Sequence, residues 1–481
     1  MPQLTRQPAQ TNGPTGVFLL GNIPEFRRNP LHAIVRWQAA YGDLVRFRLG
    51  PRRCVLLSHP DLAEELLIRR PEDFPKIHNW KAGTGLTMVF GNGLLTSSGA
   101  LWKRQRQLIQ PVFHRSKVAE FGDTMVSAAS GFMDRWQAGL PGVLLEVDRE
   151  MTRLALEIIT RTMFNLSVLQ EADQIGPALE TVLRYATQAI GSLWNPPLYL
   201  PTPSNVRFKR AMAYLDRLMV GIIVQRRKLG RSQGDFLDLL MAARDEVSGE
   251  PMSDQLLRDE VLTVFVAGHE TTANTLTWTW YLLARHPEAL ERLHAELDEV
   301  LGGRPPTVAD LPSLRYTRAV FEETLRLFGP VAALVRRTAR DVTLWDWSIP
   351  KDTLLLIALY NIHRHPDFWA EPAQFRPERF LPEGEKPKHR LAYMPFSAGP
   401  RVCVGNHFAL TEGTLLIASI AQRFELRLPA NDTVEPELRV TVKPKGGLRM
   451  SVHPRRHVPP AAAQSPVCRG CPPSLNTPAP E

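Results

Sequence analysis

The residues best suited to chemistry in this chain form a cysteine loop at residues 396–405. Gly399 favours a turn before Cys403, Gly405 follows it, and an apolar helix is predicted over residues 406–420. A cysteine just before a helix lies near free backbone N–H groups and the positive end of the helix dipole, and both favour the thiolate. We therefore predict that Cys403 presents a sulfur able to bind iron.

Other residues of the loop suit a flat ligand that carries carboxylates. Gly399 and Gly405 would let the backbone approach such a ligand closely. Arg401, two residues before the cysteine, has the length and charge to reach a carboxylate on the ligand's edge.

A second chemical group lies in the middle of a long predicted helix, residues 253–285. Its members are Ala267, Gly268, His269, Glu270, Thr271 and Thr272. Helix interiors disfavour glycine, by about 1 kcal/mol relative to alanine, and also threonine. The Thr271 hydroxyl can bond the Ala267 carbonyl and open a groove, and an acid beside an alcohol can relay protons through water. Taken alone, the group is more typical of a helix with an exposed glutamate and a back-bonded threonine.

The cysteine loop fits the pattern F-x-x-G-x-R-x-C-x-G at every fixed position, starting at Phe396. This pattern resembles the haem-binding signature of the cytochrome P-450 monooxygenases. The resemblance covers roughly residues 30–452 and indicates a soluble, bacterial-type member. It implies that Cys403 is the axial ligand of haem b iron. It also implies that Ala267 and Gly268 lie against the haem, where Gly268 leaves room for O₂. Glu270 and Thr271 would supply protons. We assign His269 no ligand role.

The same resemblance assigns residues around the haem edge. Trp102 and Arg106, four apart on a predicted helix, would lie there with the arginine on a propionate. Arg336 has the family position for another propionate contact, although the adjacent Arg337 leaves that assignment open.

An ion network behind the haem is also implied. Glu323 and Arg326 are three apart on one predicted helix, and Arg379 belongs to the downstream P-E-R-F motif. In the family these three residues form a structural network, so we expect them to meet in the fold.

Apolar residues from several segments of the chain give a tentative substrate pocket. The candidates are Trp80, Phe90, Phe265, Val331 and Leu334. Such a lining predicts a sizeable hydrophobic substrate, for example a fatty acid, a terpenoid or a carotenoid. Residues 74–98, which are apolar and rich in glycine, are equally compatible with a mobile loop over the pocket and an ordinary packed loop.

The hydrophobic periodicity predicts a mainly α protein with small β-sheets. Given the resemblance, we expect the cytochrome P-450 fold, with haem between the long central helix and the cysteine-loop helix. Residues 1–16 are predicted to be a flexible lead-in, residues 17–452 one domain, and residues 453–481 a proline-rich disordered tail.

Composition narrows the partners and the compartment. The net charge is +9, but the charges are scattered through 481 residues without a basic run, which argues against nucleic acid. Four cysteines form no dense disulfide framework, and Cys468 and Cys471 are predicted to be an inert tail pair. No apolar run near the start is long enough for a membrane anchor. We expect a cytoplasmic protein.

The predicted function is monooxygenation, the insertion of one atom of O₂ into a C–H bond of the substrate. The alternatives are a haem-binding sensor or carrier, which would not need Glu270 and Thr271, and a peroxide-driven enzyme. The chain is too short after Cys403 for a reductase domain. Electrons from NAD(P)H would therefore arrive through a ferredoxin or flavodoxin and its reductase. We expect docking near Cys403, on basic residues that include Lys103, Arg104, Arg115, Lys117, Lys386, Lys388 and Arg390.

Overall fold

A computed structural model describes residues 13–76, 85–139, 144–190, 196–230, 232–244, 249–429 and 433–455. The α-helices are α1 (Ile23–Arg28), α2 (Pro30–Tyr41), α3 (Pro60–Glu64), α4 (Thr87–Phe90), α5 (Gly99–Ile109), α6 (Arg115–Glu120), α7 (Gly122–Ala138), α8 (Val147–Phe164), α9 (Ala172–Ile190), α10 (Pro203–Leu229), α11 (Phe236–Ala242), α12 (Asp254–Arg285), α13 (Pro287–Leu301), α14 (Arg315–Phe328), α15 (Leu359–Ile362) and α16 (Asn406–Arg423). The strands are β1 (Leu44–Leu49), β2 (Arg52–Leu57), β3 (Leu144–Glu146), β4 (Leu334–Arg337), β5 (Val342–Leu344), β6 (Trp347–Ile349), β7 (Leu354–Ile357), β8 (Phe424–Arg427), β9 (Pro436–Leu438), β10 (Val442–Pro444) and β11 (Arg449–Pro454).

The central helix α12 organises the core. Its 32 residues span about 48 Å at 1.5 Å per residue. The side chain of Ser253 accepts the Leu256 N–H at 3.2 Å and so caps the start, while Pro287 opens the next helix. Helices α8, α14 and α16 pack against α12, which buries most of its side chains.

The largest sheet has four strands in the order β1-β2-β7-β4. The β1–β2 hairpin is antiparallel, β2 pairs in parallel with β7, and β7 pairs antiparallel with β4. Strand β4 places Arg336 opposite Leu355 of β7. The other sheets are β3-β11-β8, β9-β10 and β5-β6. The prediction of a mainly α chain with small sheets is confirmed.

The glycine-rich segment after α4 is packed tightly on α12. The backbone N–H of Asn92 donates to Asp259 at 2.9 Å, and that of Leu94 donates to Glu260 at 2.9 Å. A Cβ on Gly91 would lie 2.1 Å from Asp259 Oδ2, so only glycine fits there. Of the two predicted possibilities, the packed loop therefore holds for residues 85–98, whereas residues 77–84 lie outside the described residues.

Three predictions concern parts of the chain that the structure leaves largely undescribed. The lead-in is described only from residue 13, and the tail, with Cys468 and Cys471, only up to residue 455. Within the described residues, none of the helices has the length and apolar character needed to cross a membrane.

Candidate functional site

The cysteine loop is closed on itself directly before α16. The Cys403 N–H donates to the Phe396 carbonyl at 2.9 Å, and Gly405 stands at the N-terminal cap of α16. Part of the Cys403 surface is accessible, although protein encloses the residue. This burial has the largest influence on the pKa of the thiol. The thiol therefore faces an internal space.

The protonation of Cys403 corrects one expectation. The Gly405 N–H and the Arg106 guanidinium do lower the pKa of the thiol, but burial raises it by more, so the balance lies above the ordinary value. The helix start favours the thiolate as expected, but its effect on the pKa is smaller than that of burial. A cation bound to the sulfur would be needed to hold it ionised.

Gly399 has a different role from the one expected. Its φ is +69°, and a Cβ there would lie 1.9 Å from the Leu67 carbonyl oxygen, so glycine is required by packing of the protein on itself. At Gly405 a Cβ would find its nearest neighbours at 3.9 Å, on Cys403 and Phe113. Of the two glycines, Gly405 leaves more free space beside the sulfur.

Three arginines converge near Cys403 from different elements. Arg106 of α5 donates to the Val402 carbonyl at 2.5 Å. Arg401 stacks at 4.0 Å over the ring of Trp102 and donates to the Ser97 carbonyl at 2.9 Å. Burial lowers the pKa of Arg401 to about 10, with contributions from Arg336 and Arg106.

Arg336 differs sharply from its neighbour Arg337. Arg336 is buried, donates to the carbonyl of Val335 at 3.0 Å, and has a pKa lowered by burial to about 10. Arg337 is exposed and forms an ion pair with Asp352 at 3.1 Å. The geometry therefore favours Arg336 as the residue directed towards the space near Arg401.

Lys76 joins this group, and sequence analysis missed it. It bridges to Arg336 through the backbone, and its ammonium group donates to the Leu95 carbonyl. Burial, together with the charges of Arg401 and Arg336, lowers the pKa of Lys76 to about 7. No motif surrounds Lys76 in the sequence, because only the fold brings it to the arginines.

This cluster of four basic residues has no ion pair with an acidic side chain in the described parts of the chain. Its members are Lys76, Arg106, Arg336 and Arg401. Arg336 is buried and the other three are partly buried, and such cations without counter-charges favour an anionic ligand. A ligand with two carboxylates beside an accessible thiol would satisfy both features of the site.

The central helix presents Thr271 to the interior as expected. The Thr271 hydroxyl donates to the Ala267 carbonyl at 2.9 Å, and Ala267 is exposed although most of the helix around it is buried. The expectation for Gly268 needs correction, because a Cβ there would lie 2.5 Å from Ile159 of α8. The missing side chain makes room for a neighbouring helix rather than for O₂.

Glu270 points in another direction from Thr271. Its Oε1 accepts a hydrogen bond from the Thr441 hydroxyl at 2.9 Å, and Asn274 Nδ2 donates to the same hydroxyl oxygen at 2.8 Å. Successive helix residues are about 100° apart, which explains the divergence. The structure brings Glu270 and Thr271 into one turn of α12 without direct contact between their side chains.

The three predicted members of the ion network do meet. Arg326 donates through Nε and Nη2 to the two oxygens of Glu323, at 2.7 and 2.8 Å, and both side chains are fully buried. Arg379 Nε lies 3.4 Å from Glu323 Oε1. Arg326 also donates to three backbone carbonyls of the chain that leads to the cysteine loop.

The tentative pocket residues divide into three groups. Val331 is 37% exposed and Leu334 is half-buried, as expected for residues beside a cavity. Phe90 and Phe265 are only 2% and 0% exposed, so both are corrected to core residues. Phe265 lies two positions before Ala267, about 200° away around the helix and nearly opposite the accessible face. Trp80 lies outside the described residues.

Comparison with known proteins identifies the fold and the family. Residues 11–450 match the family described as Cytochrome P450. The chain belongs to the cytochrome P450 family. This P450 is 38% identical over 458 residues to cyclooctatin synthase of Streptomyces melanosporofaciens, which covers 94% of this chain and 97% of that protein. It is 37% identical over 448 residues to cyclooctat-9-en-7-ol 5-monooxygenase of the same organism, covering 92% and 95%.

A solved structure supports the same conclusion. The crystal structure of the cytochrome P450DA heme domain superposes with a TM-score of 0.83 at 26% identity, covering 93% of this chain and 98% of that chain. The predicted P450 fold is therefore confirmed. The residues of this P450 fit haem, because an accessible thiol lies beside buried and partly buried cations that have no carboxylate partner among the residues that the structure describes.

Proposed function

We propose that the substrate of this cytochrome P450 monooxygenase is a terpenoid. The observation that carries the proposal is the similarity, over nearly the whole chain, to cyclooctat-9-en-7-ol 5-monooxygenase, one of the related terpenoid oxygenases. The accessible apolar side chains of Val331 and Val335, 37% and 40% exposed, suit such a hydrophobic molecule. Among the three predicted substrate classes, a terpenoid is therefore favoured over a fatty acid, and carotenoids are themselves large terpenoids.

The substrate class is tested by titrating the ferric enzyme and following its haem absorption band. Cyclooctat-9-en-7-ol, a long-chain fatty acid and a carotenoid would be compared under the same conditions. We expect a saturable shift with the terpenoid at the lowest concentration, followed by a hydroxylated product in turnover. A shift and a product with the fatty acid alone would contradict the proposal, whereas a shift and a product with the carotenoid alone would support a larger terpenoid as the substrate.

In this proposal haem b is held by the residues described above. Cys403 would provide the thiolate that binds the iron, and Arg106, Arg336, Arg401 and Lys76 would hold the propionates. Bound haem supplies the iron that activates O₂ for insertion into a C–H bond. The protein orients the substrate, excludes water and delivers protons.

Thr271 and Glu270 form the proton relay of the proposed mechanism. The Thr271 hydroxyl is held by Ala267 on the accessible face of α12, where it can order a water molecule. Glu270, one residue away, is the acid that passes protons to that water. A haem sensor or carrier would have no use for this pair.

The ligand assignment is tested by Cys403→Ser. We expect the variant to lose the shifted absorption band that thiolate-ligated ferrous haem gives with carbon monoxide, and to lose hydroxylation. The matched control is Cys54→Ser, which makes the same change in a buried strand whose thiol has a pKa raised by burial to about 12. If Cys403→Ser kept the band and the activity, another ligand would have to be sought.

Electron supply is proposed to come from NAD(P)H through a reductase and a ferredoxin or flavodoxin. Turnover supported by NAD(P)H and this chain of carriers, with product formed, distinguishes a monooxygenase from a sensor. A peroxide-driven enzyme would instead be favoured if turnover needed added peroxide and NAD(P)H with the carriers failed to support it.

The proposed docking face surrounds the loop of Cys403. Two of its predicted cations already have an acidic neighbour: Lys117 pairs with Glu120 at 2.7 Å, and Arg390 pairs with Glu64 at 3.0 Å. Lys103, Arg115 and Lys388 are exposed and would attract an acidic carrier.

The docking face is tested by stopped-flow reduction of the iron. We expect the second-order rate constant to fall as ionic strength rises, and to fall further in Lys103→Glu and Lys388→Glu. Lys209→Glu on α10, an exposed position away from the cysteine loop, is the matched control. Equal rate constants for all three variants would show that the carrier docks elsewhere.

A further inference from the structure

Thr441 stands between Glu270 and Asn274 in a hydrogen-bond chain with a fixed direction. The amide nitrogen of Asn274 can only donate, and it lies 2.8 Å from Thr441 Oγ1. The Thr441 hydroxyl has a single hydrogen, which it donates to Glu270 Oε1 at 2.9 Å. Glu270 is thus held as an acceptor by a hydroxyl that is itself held in place.

The backbone next to Thr441 is held through Val442 by the central helix and by the segment after α14. The carbonyl of Val442 accepts the indole N–H of Trp278 at 3.2 Å, and the Val442 N–H donates to the Pro330 carbonyl at 2.9 Å. Thr441 and Asn274 are 5% and 7% exposed. The Thr441 hydroxyl therefore lies in a position that is almost closed to solvent.

A cleft of about 350 Å³ leads from the surface to Glu270. His269, Glu270 and Asn274 lie at its inner end, and the side chains of Arg149 and Arg449 at its rim are 56% and 65% exposed. The cleft has room for several water molecules next to polar groups that can bind them. Other charged groups along its walls are Glu146, Asp148, Arg153, Asp173, Glu180, Arg184, Arg439 and Lys443.

The two relay residues consequently face two different spaces. Thr271 lies with accessible Ala267 on the inner face of α12, whereas the carboxyl of Glu270 lies at the inner end of the cleft. In the relay proposed above, a proton from solvent therefore passes through Glu270 before it reaches Thr271. The residue that sets the position of the Glu270 carboxyl therefore controls the first of these transfers.

We infer that Thr441, held by Asn274, is a positioning residue that keeps the Glu270 carboxyl where it takes up protons from the water of the cleft. The inference rests on the relay proposed above. A proton passes from a hydronium ion in the cleft to the Glu270 carboxylate, leaving water and the neutral acid. The acid then gives the same proton to water at Thr271 and returns, as carboxylate, to the Thr441 hydroxyl.

The test compares Thr441→Val, which keeps the shape and removes the hydroxyl, with Thr441→Ser, which keeps the hydroxyl. Thr277→Val is the matched control, because the buried Thr277 hydroxyl bonds only to its own helix, at 2.7 Å to Ala273. The haem-loaded proteins are supplied with NADPH, a surrogate ferredoxin and its reductase, and a substrate that shifts the haem band. The ratio of product to NADPH is measured in H₂O and D₂O.

We expect Thr441→Val to lower the product-to-NADPH ratio about tenfold and to enlarge the solvent isotope effect, as for loss of a hydrogen bond to a charged group. Thr441→Ser and Thr277→Val should behave like the unmodified protein. A second readout is independent of turnover. The infrared carboxylate band that disappears in Glu270→Gln should shift in Thr441→Val and stay in place in Thr441→Ser.

The outcomes separate this inference from the proposed relay. If Glu270→Gln lowers the product ratio while Thr441→Val changes neither the ratio nor the infrared band, the positioning role is refuted and the relay stands. If Glu270→Gln leaves the ratio unchanged, both are refuted. Should Thr441→Val fail to bind haem, Asn274→Ala is measured instead, and an unchanged carboxylate band in that variant overturns the inference.

Discussion

Removal of the Glu323 carboxylate should destabilise the fold more than loss of any exposed ion pair. Glu323 and Arg326 are fully buried, and Glu323 also accepts the Arg376 N–H at 2.9 Å. In Glu323→Ala, Arg326 keeps its bonds to the carbonyls of His363 and Pro372, both at 2.8 Å, but loses its counter-charge.

The expected cost follows from that uncompensated charge. Breaking one side of a buried ion pair typically costs about 3–5 kcal/mol, against a total stability of about 5–15 kcal/mol for a folded protein. The ratio of folded to unfolded protein should therefore fall by about two to three and a half orders of magnitude. Glu323→Gln preserves the shape and one acceptor oxygen, so its effect should be smaller.

The measurement is urea unfolding of the haem-loaded protein, followed by tryptophan fluorescence. Glu435→Ala is the matched control, since the pair of Glu435 and Lys445 at 3.1 Å is 74% and 65% exposed and should contribute less than about 1 kcal/mol. If the free energies of unfolding of Glu323→Ala and Glu435→Ala agree within about 1 kcal/mol, the argument from burial is refuted.

Three further predictions concern the relay and two buried bases. Thr271→Ala should bind haem and substrate normally, yet consume NAD(P)H and release peroxide in place of product. The product yield should fall at least about tenfold. An unchanged ratio of product to NAD(P)H consumed would exclude a relay through Thr271. Burial lowers the pKa of His363 to about 3 from 6.5, so the unfolded chain binds a proton that the folded one does not, and stability should fall as the pH drops from about 6.5 to 3. His363→Gln should flatten this part of the unfolding profile, and an equally steep profile would show that other groups cause it. The pKa of Lys76 is lowered to about 7 from 10.5, so the haem-free protein should gain stability as the pH rises from about 7 to 10.5. Lys76→Met should abolish that gain. If the gain in stability persisted in Lys76→Met, the Lys76 ammonium would lie in solvent.

Local signals in the sequence were sufficient for the elements that carry the site. The cap at Ser253 and the proline at Pro287 mark the two ends of α12, and both ends lie within one residue of the predicted positions. The pattern around Cys403 predicted a loop before a helix, and the structure has that loop closed by a hydrogen bond to Phe396. These features depend on neighbours close in the sequence, so the sequence contains the information needed to place them.

Features that depend on contacts between distant segments were not predictable in the same way. Phe265 was assigned to the pocket from its apolar character, although helix geometry places it opposite Ala267. Glycine is needed at positions 268 and 399 because Ile159 packs on Gly268 and Leu67 packs on Gly399. No local sequence pattern indicates these two partners. Such contacts follow from packing, and a single sequence contains no direct signal for them.

The parallel pairing of β2 with β7 also bears on how the chain folds during synthesis. Cys54 lies opposite Leu354, so a strand made early must wait for 300 residues before its partner exists. At about 5–20 residues per second, a ribosome needs on the order of 15–60 s to cover that distance. Throughout that interval the edge of β2 that will pair with β7 is unpaired, and its apolar end, formed by Val55, Leu56 and Leu57, is open to aggregation. The yield of soluble protein in a cell should therefore depend on chaperones that cover the nascent amino-terminal hairpin.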